Sequence, residues 1–247
     1  MEACAENKIT FLVLDRPNPN GFYVDGPVMQ KEYMSYVGLH PVPLVHGMTV
    51  AEYARMVNGQ GWLKDGVRCN LIHILCEGYT HNSYYELLVN PSPNLPNMKA
   101  VYLYPSLGLF EGTIISVGRG TDHPFQVIGH PALQRAGYKF KPKSRPGAKN
   151  PPYKGEVCFG HDLTKFNDTI LKNFKHIYLY WLTGAYKDSP DKQHFFNDYF
   201  NFLAGNAALK QQVKDGLSED EIIDSWKQDL DTFKKIRKAY LLYPDFE

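Results

Sequence analysis

The chain has 247 residues, of which 43% are hydrophobic and 21% charged, as expected for a globular protein with one large domain or two small ones. The net charge of +1 argues against a nucleic-acid partner, because phosphate binding normally requires a clustered excess of Lys and Arg. No apolar stretch approaches the roughly 20 residues needed to cross a bilayer, and no signal peptide precedes the first predicted strand.

The sequence carries no pattern typical of a metal or nucleotide site. Its four cysteines, Cys4, Cys69, Cys76 and Cys158, lack the paired spacing of a metal site, and nothing in them requires an oxidising compartment. A Walker loop is absent, and Gly118-Arg119-Gly120 lacks the third glycine of a dinucleotide-binding fingerprint. We therefore expect no metal ion and no cofactor.

The chain opens with a predicted helix end and a predicted buried strand. Residues 1–7 are typical of the last turns of a helix, with Asn7 as its stop. Residues 9–14 form a continuous apolar run, as expected for a strand covered on both faces in a parallel sheet. Because this order begins with a helix end, we expect a further segment to precede it.

A stiff polar loop, residues 15–21, follows this strand at its carboxyl end. Two prolines fix φ there and restrict the residues before them. Ligands bind at this edge of open α/β sheets, so Asp15, Arg16 and Asn18 are candidate ligand-binding residues. The alternative is a Pro/Asn/Gly turn in which Asp15 and Arg16 form a salt bridge.

A helix and a second strand follow. The sequence Thr49-Val50-Ala51-Glu52 predicts a capping box that opens a helix through about Asn58, and residues 69–76 predict the strand. His46 lies just ahead of that helix N-terminus, where a neutral imidazole is easier to maintain. We consider both a functional and a purely structural role for it.

The proline-rich segment Pro91–Pro96 predicts a domain boundary, which divides the chain into residues 1–95 and 96–247. The first part contains the two strands of a predicted parallel sheet. The second part is predicted to be mixed, beginning with a β segment over residues 101–104 and ending in helices.

Residues 107–125 hold the strongest polar signal. Glu111 and Arg119 lie eight residues apart, each flanked by glycine, with β-forming residues at 114–117 between them. Glycine lets the backbone turn sharply or approach a ligand closely, so a strand ending at Glu111 and a turn carrying Arg119 would form a polar site. The alternative is an ion pair that braces a β-turn.

Helical spacing dominates the C-terminal part of the chain. The predicted helices are one long helix over residues 164–181, a segment over Phe195–Leu203 stopped by Gly205, a short helix over 207–214, and a helix opened by a capping box at Ser218–Glu221 that runs through about Arg237.

Taken together, several motifs resemble the exo-β-N-acetylmuramidase family of the NamZ type over residues 9–243. These motifs are Asp15-Arg16-Pro17-Asn18-Pro19, Asp25-Gly26-Pro27, Tyr36-Val37-Gly38-Leu39, His46-Gly47-Met48-Thr49, Ser92-Pro93-Asn94-Leu95-Pro96, Phe110-Glu111-Gly112-Thr113, Gly118-Arg119-Gly120-Thr121 with Pro124-Phe125, and Tyr240-Leu241-Leu242-Tyr243.

The resemblance implies an α/β plus α+β fold: a partial Rossmann-like parallel-sheet domain, followed by a smaller mixed domain with C-terminal helices and a cleft between the two. It implies release of terminal N-acetylmuramic acid from peptidoglycan fragments, in a periplasmic or secreted location. Family members typically carry an N-terminal section with a Gly-Pro-Glu-His-Gly-like motif, which this chain lacks, so we expect the site to be incomplete.

Glycoside hydrolysis normally uses two carboxyl groups, although the acetamido oxygen of an N-acetyl sugar can replace one of them as the nucleophile. The candidate carboxylates at predicted strand ends are Asp15, Glu77 and Glu111, with Asp122 close to Arg119. We favour Glu111 as the catalytic carboxylate, because its glycine-flanked setting could bring it close to the substrate, and we place His46 beside it.

The lactyl carboxylate of muramic acid requires a cationic receptor, for which a bidentate Arg is suited. Arg119 is the first choice and Arg16 the second. We expect Asn18 and His46 to hydrogen-bond sugar hydroxyls or the acetamido group, with Asp15 and Thr121 as further substrate-binding residues. The alternative function is a non-catalytic muropeptide-binding module that requires its N-terminal section.

Overall fold

The computed structural model describes residues 1–247 and shows a mixed α/β architecture. Seven strands are present: β1 (Phe11–Leu14), β2 (Asp25–Val28), β3 (Pro43–Val45), β4 (Leu71–Ile74), β5 (Val127–His130), β6 (Tyr138–Phe140) and β7 (Cys158–Asp162). The eight α-helices are α1 (Glu2–Glu6), α2 (Val50–Gly59), α3 (Met98–Leu107), α4 (Asp168–Phe174), α5 (Tyr180–Asp188), α6 (Phe200–Ala204), α7 (Ala208–Asp215) and α8 (Glu219–Lys238). None of these helices is long and apolar enough to span a membrane.

The strands form three small sheets. Strands β1 and β4 pair in parallel, β2 and β3 pair antiparallel, and β5, β7 and β6 form an antiparallel sheet in that order. No strand pairing crosses residues 95 and 96. The main core nevertheless contains 32 buried residues from both sides of that position, among them Phe22, Leu107 and Trp226. Side-chain packing therefore joins the two parts of the chain.

The parallel pair β1–β4 differs from the predicted strand in its burial. Val13 is buried against Ala51 and Ala54 of α2, as expected for the inner face. The other face is open, since Leu14 is 70% exposed and its register partner Ile74 is 54% exposed. The prediction of a strand covered on both faces was therefore wrong for this structure, and the sheet presents an apolar surface to solvent.

Both predicted capping boxes are confirmed. Thr49 accepts a hydrogen bond from the Glu52 backbone N–H, while the Glu52 carboxylate accepts one from the Thr49 backbone, and α2 follows directly. Ser218 and Glu221 make the same reciprocal contacts at the start of α8. These boxes satisfy backbone donors that have no partner within the first helical turn.

The predicted strands around residues 101–117 are wrong. Residues 101–104 lie in α3, which begins where the Asn97 side chain accepts a hydrogen bond from the Ala100 backbone N–H at 3.0 Å. Residues 114–117 make only one isolated bridge, between Ser116 and Gly129. In α3, burial outweighs the β-propensity of residues 101–104, because helical spacing places Ala100, Leu103 and Leu107 in the core.

The predicted long helix over residues 164–181 is interrupted between α4 and α5. After Lys175, which has a left-handed φ of 53°, three successive backbone N–H groups bind side chains instead of helical carbonyls. Their acceptors are Asp25 for Ile177 (2.6 Å), Ser106 for Tyr178 (2.9 Å) and Glu219 for Leu179 (2.6 Å). These tertiary hydrogen bonds end one helix and allow the next to begin. The other predicted segment, 195–203, is helical only in α6, which ends at Gly205 as predicted.

Asp25 provides a test of this arrangement. Its buried carboxylate also accepts a hydrogen bond from Trp226 Nε1 at 3.1 Å, and burial raises the pKa of the Asp25 carboxyl. We expect Asp25→Ala to lower the free energy of unfolding by about 2–5 kcal/mol, because it leaves two buried donors without an acceptor. Chemical denaturation measures this change. The control is Asp162→Ala, which removes an exposed carboxylate that accepts from the nearby Thr164 backbone, and a comparable loss there would contradict the explanation.

Candidate active site

The loop after β1 is fixed by Asp15, whose two carboxylate oxygens are engaged inside the protein. They accept hydrogen bonds from Thr49 Oγ1 at 2.8 Å, the Ala51 backbone at 3.0 Å and Tyr243 Oη at 2.6 Å. Asp15 therefore stabilises the N-terminus of α2 and binds the C-terminal tail. The structure gives it this structural role, and we do not retain it as a substrate-binding residue.

Asn18 occupies the centre of the same loop and connects two segments. Its Nδ2 donates to the Met48 carbonyl at 2.9 Å, and its Oδ1 accepts from the Asn20 backbone N–H at 2.9 Å. Both ends of the amide are thus used within the protein. Asn18 holds the loop against the segment that carries His46, which suits a positioning residue better than a direct ligand.

A cavity of 680 Å³ brings together candidates that lie far apart in sequence. Asn18, His46 and Glu111 all line it, from the loop after β1, the end of β3 and the turn after α3. A second cavity of 470 Å³ shares Asn18 and His46 with the first and is lined by the exposed Arg16. Both cavities border His46, and we refer to them together as the cleft.

His46 is held as a single neutral tautomer. Its Nδ1 accepts a hydrogen bond from the Met48 backbone N–H at 3.1 Å, so the ring proton lies on Nε2, which has no partner within the protein. Burial lowers the pKa of His46 to about 4, and the positive charge of Arg237 acts in the same direction. At neutral pH the ring therefore offers one N–H donor to the cleft and is a poor proton acceptor.

Glu111, which lines the 680 Å³ cavity, forms an ion pair with Arg119, which is not itself among the lining residues. Glu111 Oε1 accepts from Arg119 Nε at 2.8 Å, and both side chains are slightly under one third exposed. The guanidinium also lies over the Phe125 ring, 4.9 Å from its centroid. Glu111 Oε2 and the two terminal nitrogens of Arg119 have no hydrogen-bond partner in the protein. These atoms are therefore available to a ligand, while the Nε–Oε1 contact fixes the two side chains relative to each other.

Local backbone geometry explains why glycine follows Glu111. A Cβ on Gly112 would lie 2.5 Å from the Phe200 Cα, so α6 could not pack against this turn with a larger residue there. Glu111 itself lies in the short 3-10 turn Gly108–Gly112 and not at the end of a strand. Thr121, by contrast, belongs to the next turn: its hydroxyl donates to the Gly118 carbonyl at 2.7 Å and accepts from the His123 backbone. Its hydroxyl is therefore engaged within the turn.

Three residues of the cleft were missed by the sequence analysis. Tyr104 on α3 and Tyr199 just before α6 line the cavity and are 41% and 42% exposed. Asn20 lines it as well, in the same loop as the predicted candidates. Tyr104 was missed because residues 101–104 were predicted to form a strand and lie in α3 instead. Tyr199 was missed because it lies among aromatic residues that mostly face the core. The spacing of His, Cys, Asp and Glu side chains provides no group of three that could hold a metal ion.

Two family models match this chain, and residues from both matches line the cleft. The model described as "Exo-beta-N-acetylmuramidase NamZ, N-terminal" matches residues 1–99, and the corresponding C-terminal model matches residues 102–243. The fold thus defines the class of protein: a mixed α/β protein whose cleft is lined by segments of both matches. The chain belongs to the NamZ exo-β-N-acetylmuramidase family.

Known proteins support this membership. The chain is 33% identical to the peptidoglycan β-N-acetylmuramidase NamZ of Bacillus subtilis (strain 168) in an alignment that covers 98% of this chain and 62% of that protein. The chain therefore spans less than two thirds of the length of this curated relative.

Two crystal structures of DUF1343 family proteins from Bacteroides fragilis NCTC 9343 are similar to this fold. One has a TM-score of 0.97 at 49% identity and is matched over 99% of this chain and 69% of its own. The other has a TM-score of 0.73 at 24% identity, over 98% of this chain and 68% of its own, and supports the fold alone.

The state of His46 can be measured directly. We expect ¹⁵N NMR of the imidazole to show a single Nε2–H tautomer at neutral pH, because the Met48 N–H occupies Nδ1, with a titration midpoint near pH 4. Since the pKa of His46 in the unfolded chain is about 6.5, the stability associated with the neutral ring is present above that pH and is lost as the pH falls toward 4.

His46→Gln should remove this part of the pH dependence of the unfolding free energy. The exposed His161 ring, which has no hydrogen-bond partner in the protein, serves as the reference in the same spectra. An Nδ1–H tautomer for His46, or a midpoint near 6.5, would show that the cleft does not hold the ring as described.

Proposed function

We propose that this chain acts in the exo-hydrolysis of peptidoglycan fragments, releasing terminal N-acetylmuramic acid during cell-wall turnover or recycling. The observation that carries the proposal is the convergence of Glu111 and His46 on one cavity, with Arg119 paired to Glu111. Membership of the NamZ family and the name of the Bacillus subtilis relative support the reaction and the substrate class.

Glu111 is the catalytic carboxylate in this proposal. A general acid delivers a proton to the leaving oxygen of the glycosidic bond, and Oε2 is the Glu111 oxygen without a protein partner, because Oε1 accepts from Arg119. His46 contributes as a neutral donor through Nε2–H. Such a donor can hydrogen-bond the sugar and stabilise developing negative charge on an oxygen.

Arg119 is proposed as the receptor of the lactyl carboxylate. Its Nε is used by Glu111, whereas both terminal nitrogens are free and form the fork that binds a carboxylate bidentately. Arg16 is the second candidate, because it lines the adjoining cavity and is exposed. The lactyl group distinguishes muramic acid from glucosamine, so these arginines would set the preference for muramoyl sugars.

A second candidate function is a non-catalytic muropeptide-binding module. It is favoured because Glu111 is the only carboxylate that lines the 680 Å³ cavity, whereas most glycosidases require two. Hydrolysis with this one carboxylate would need the substrate's own acetamido oxygen as the nucleophile. Under this alternative the chain binds the terminal sugar and does not cleave it.

Family membership also supports a proposal for the finer architecture and the location. We propose that residues 1–95 form a partial Rossmann-like domain, supported by the parallel pair β1–β4 with α2 packed against it, and that residues 96–247 form the smaller mixed domain. A carbohydrate substrate from the cell wall favours periplasmic or secreted action.

Matched substitutions test the site. With a chromogenic muramic acid glycoside, we expect Glu111→Gln to reduce turnover by about 10²–10⁴-fold with little change in sugar affinity, as for loss of a general acid. Turnover that is absent from the unsubstituted chain, with binding of N-acetylmuramic acid retained, would instead identify the binding module.

Arg119→Ala should weaken binding of N-acetylmuramic acid by about tenfold or more and leave N-acetylglucosamine binding unchanged, because only the former has a carboxylate. Arg145→Ala is the control, since Arg145 also pairs with an acidic side chain, Asp122, but that partner does not line the cavity, whereas Glu111, the partner of Arg119, does. Equal binding of both sugars that is unaffected by Arg119→Ala and Arg16→Ala would refute this explanation of specificity.

A further inference from the structure

The charges of this chain are unevenly distributed along it. Residues 123–155 contain seven Lys and Arg residues and no Asp or Glu, although the net charge of the whole chain is only +1. The two acids that bracket this stretch, Asp122 and Glu156, reduce its charge to +5, so the remaining residues carry −4. Asp122 is already paired with Arg145. The stretch therefore attracts anions although the protein as a whole is nearly neutral.

Three of these lysines form a row on the surface. Burial alternates along Lys139-Phe140-Lys141-Pro142-Lys143: the lysines are exposed, whereas Phe140 and Pro142 are buried. Because alternate side chains of an extended segment point to the same side, the three lysines project together into solvent, about 7 Å apart along the backbone. We call them the lysine row. It begins on β6, an edge strand of its sheet, and continues past the end of that strand.

The lysine row is held in place at both ends. Lys139 Nζ lies over the Phe159 ring of β7, 5.2 Å from its centroid. The Lys143 backbone N–H donates to the Gly120 carbonyl at 2.9 Å, in the turn that carries Arg119. None of the three ammonium groups belongs to an ion pair. The backbone of the row is thus anchored, while its charges are available to a ligand.

The alternative explanation of these lysines is protection of a sheet edge, since charged side chains on an edge strand prevent pairing with other sheets. That role accounts for Lys139, which lies in β6. It does not account for Lys141 and Lys143, because both follow the strand and the backbone N–H of Lys143 already has a partner. The row extends beyond what edge protection requires.

The surroundings of the row favour one kind of anion. No large hydrophobic side chain of residues 123–155 is exposed, so this surface has nothing to insert into a lipid bilayer. The aromatic rings of the stretch are buried or half-buried and offer no platform on which nucleic-acid bases could stack. Lysine binds phosphate as a point charge, whereas carboxylates are better matched by the planar fork of Arg. These features favour a phosphate polymer without bases.

We propose that the lysine row is a docking surface for a linear phosphodiester polymer with a three-carbon repeat, in which successive phosphates bind successive lysines. Neighbouring phosphorus atoms of such a polymer are six backbone bonds apart, as are the Cα atoms of Lys139 and Lys141. Six bonds span about 7 Å in an extended chain, so the two rows of charges match in spacing. The interaction goes beyond the proposed function and does not depend on the cleft.

Fluorescence anisotropy tests this surface with a labelled oligomer of propanediol phosphodiester units, which has the three-carbon repeat and no bases. We expect Lys139→Gln, Lys141→Gln and Lys143→Gln together to weaken binding by about tenfold or more, as the loss of three exposed ion pairs would. The dependence of log K on log salt should become shallower by about two units, because three phosphate contacts are lost. Arg at the same three positions should preserve both, since the charges remain.

The matched control changes Lys187, Lys214 and Lys235 to Gln. These lysines are also exposed and belong to no ion pair, but they lie on α5, α7 and α8. The net charge changes by the same amount, and we expect binding within about twofold of the unsubstituted chain, since distant exposed charges are screened by salt. An equal loss in both triple variants would show only unspecific attraction and would overturn the docking surface.

Other anions test the kind of partner. An oligomer of equal charge with long alkyl spacers should bind more weakly, because its phosphates do not match the spacing of the lysine row. Single-stranded DNA with the same number of phosphates should bind no more tightly than the oligomer, since its bases find no stacking partner. Tighter binding of DNA, of polyglutamate or of phosphatidylglycerol vesicles that depends on the row would overturn the assignment to a phosphodiester polymer without bases.

NMR provides a second measurement that needs no substitution. On addition of the oligomer, the amide resonances of residues 139–143 should shift most, and the ring resonances of His46 should not shift. Shifts centred on the cleft, or competition by N-acetylmuramic acid, would overturn the separate surface. Absence of sugar binding together with oligomer binding at the lysine row would refute the proposed function and retain this inference.

Discussion

The buried carboxylate of Glu52 holds together the parts of the chain that form the cleft. It is fully buried and accepts three hydrogen bonds, from the Thr49 backbone at 2.8 Å, from His81 Nε2 at 3.0 Å and from the Leu242 backbone at 2.8 Å. One side chain therefore caps α2, fixes the segment around His81 and anchors the C-terminal tail. The His46 segment leads directly into this cap, so the position of the imidazole depends on it.

His81 extends this network to the loop that carries Asn18 and Asn20. Its Nδ1 lies 2.9 Å from the Gly21 carbonyl oxygen and its Nε2 lies 3.0 Å from Glu52 Oε1, so the ring links the loop to the capped helix. Removal of either side chain would leave buried polar groups without their hydrogen bonds, at a cost of about 1–3 kcal/mol. The pair thus specifies one arrangement of loop, helix and tail.

The predictable part of the structure is the part encoded by local contacts. Each capping box has both of its members within four residues, so Thr49–Glu52 and Ser218–Glu221 could be recognised without tertiary information. The break after Lys175 could not, because its causes are Asp25, Ser106 and Glu219, which lie far away along the chain. Burial likewise determines that residues 98–107 form the helix α3, although several of their side chains favour strands.

The candidate site shows the same limit at the level of single side chains. The sequence predicts that the loop after β1 binds a ligand, and Asn18 and Asn20 of that loop line the cavity. It could not distinguish Asp15 and Asn18, whose polar atoms are used internally, from Asn20, whose acceptor is free. That distinction depends on the partners each atom meets after folding, such as Thr49 and Met48.

The open face of the β1–β4 pair affects how the chain behaves in a test tube. Leu12, Leu14, Ile72 and Ile74 form a continuous aliphatic patch on a sheet in which each strand has only one pairing neighbour. Burial of this patch against a second apolar surface would lower the free energy, because it removes apolar side chains from water. The outer edges of the sheet also offer unpaired backbone groups to further strands. Association through the patch would stabilise the folded state by mass action, so the melting temperature would rise with protein concentration.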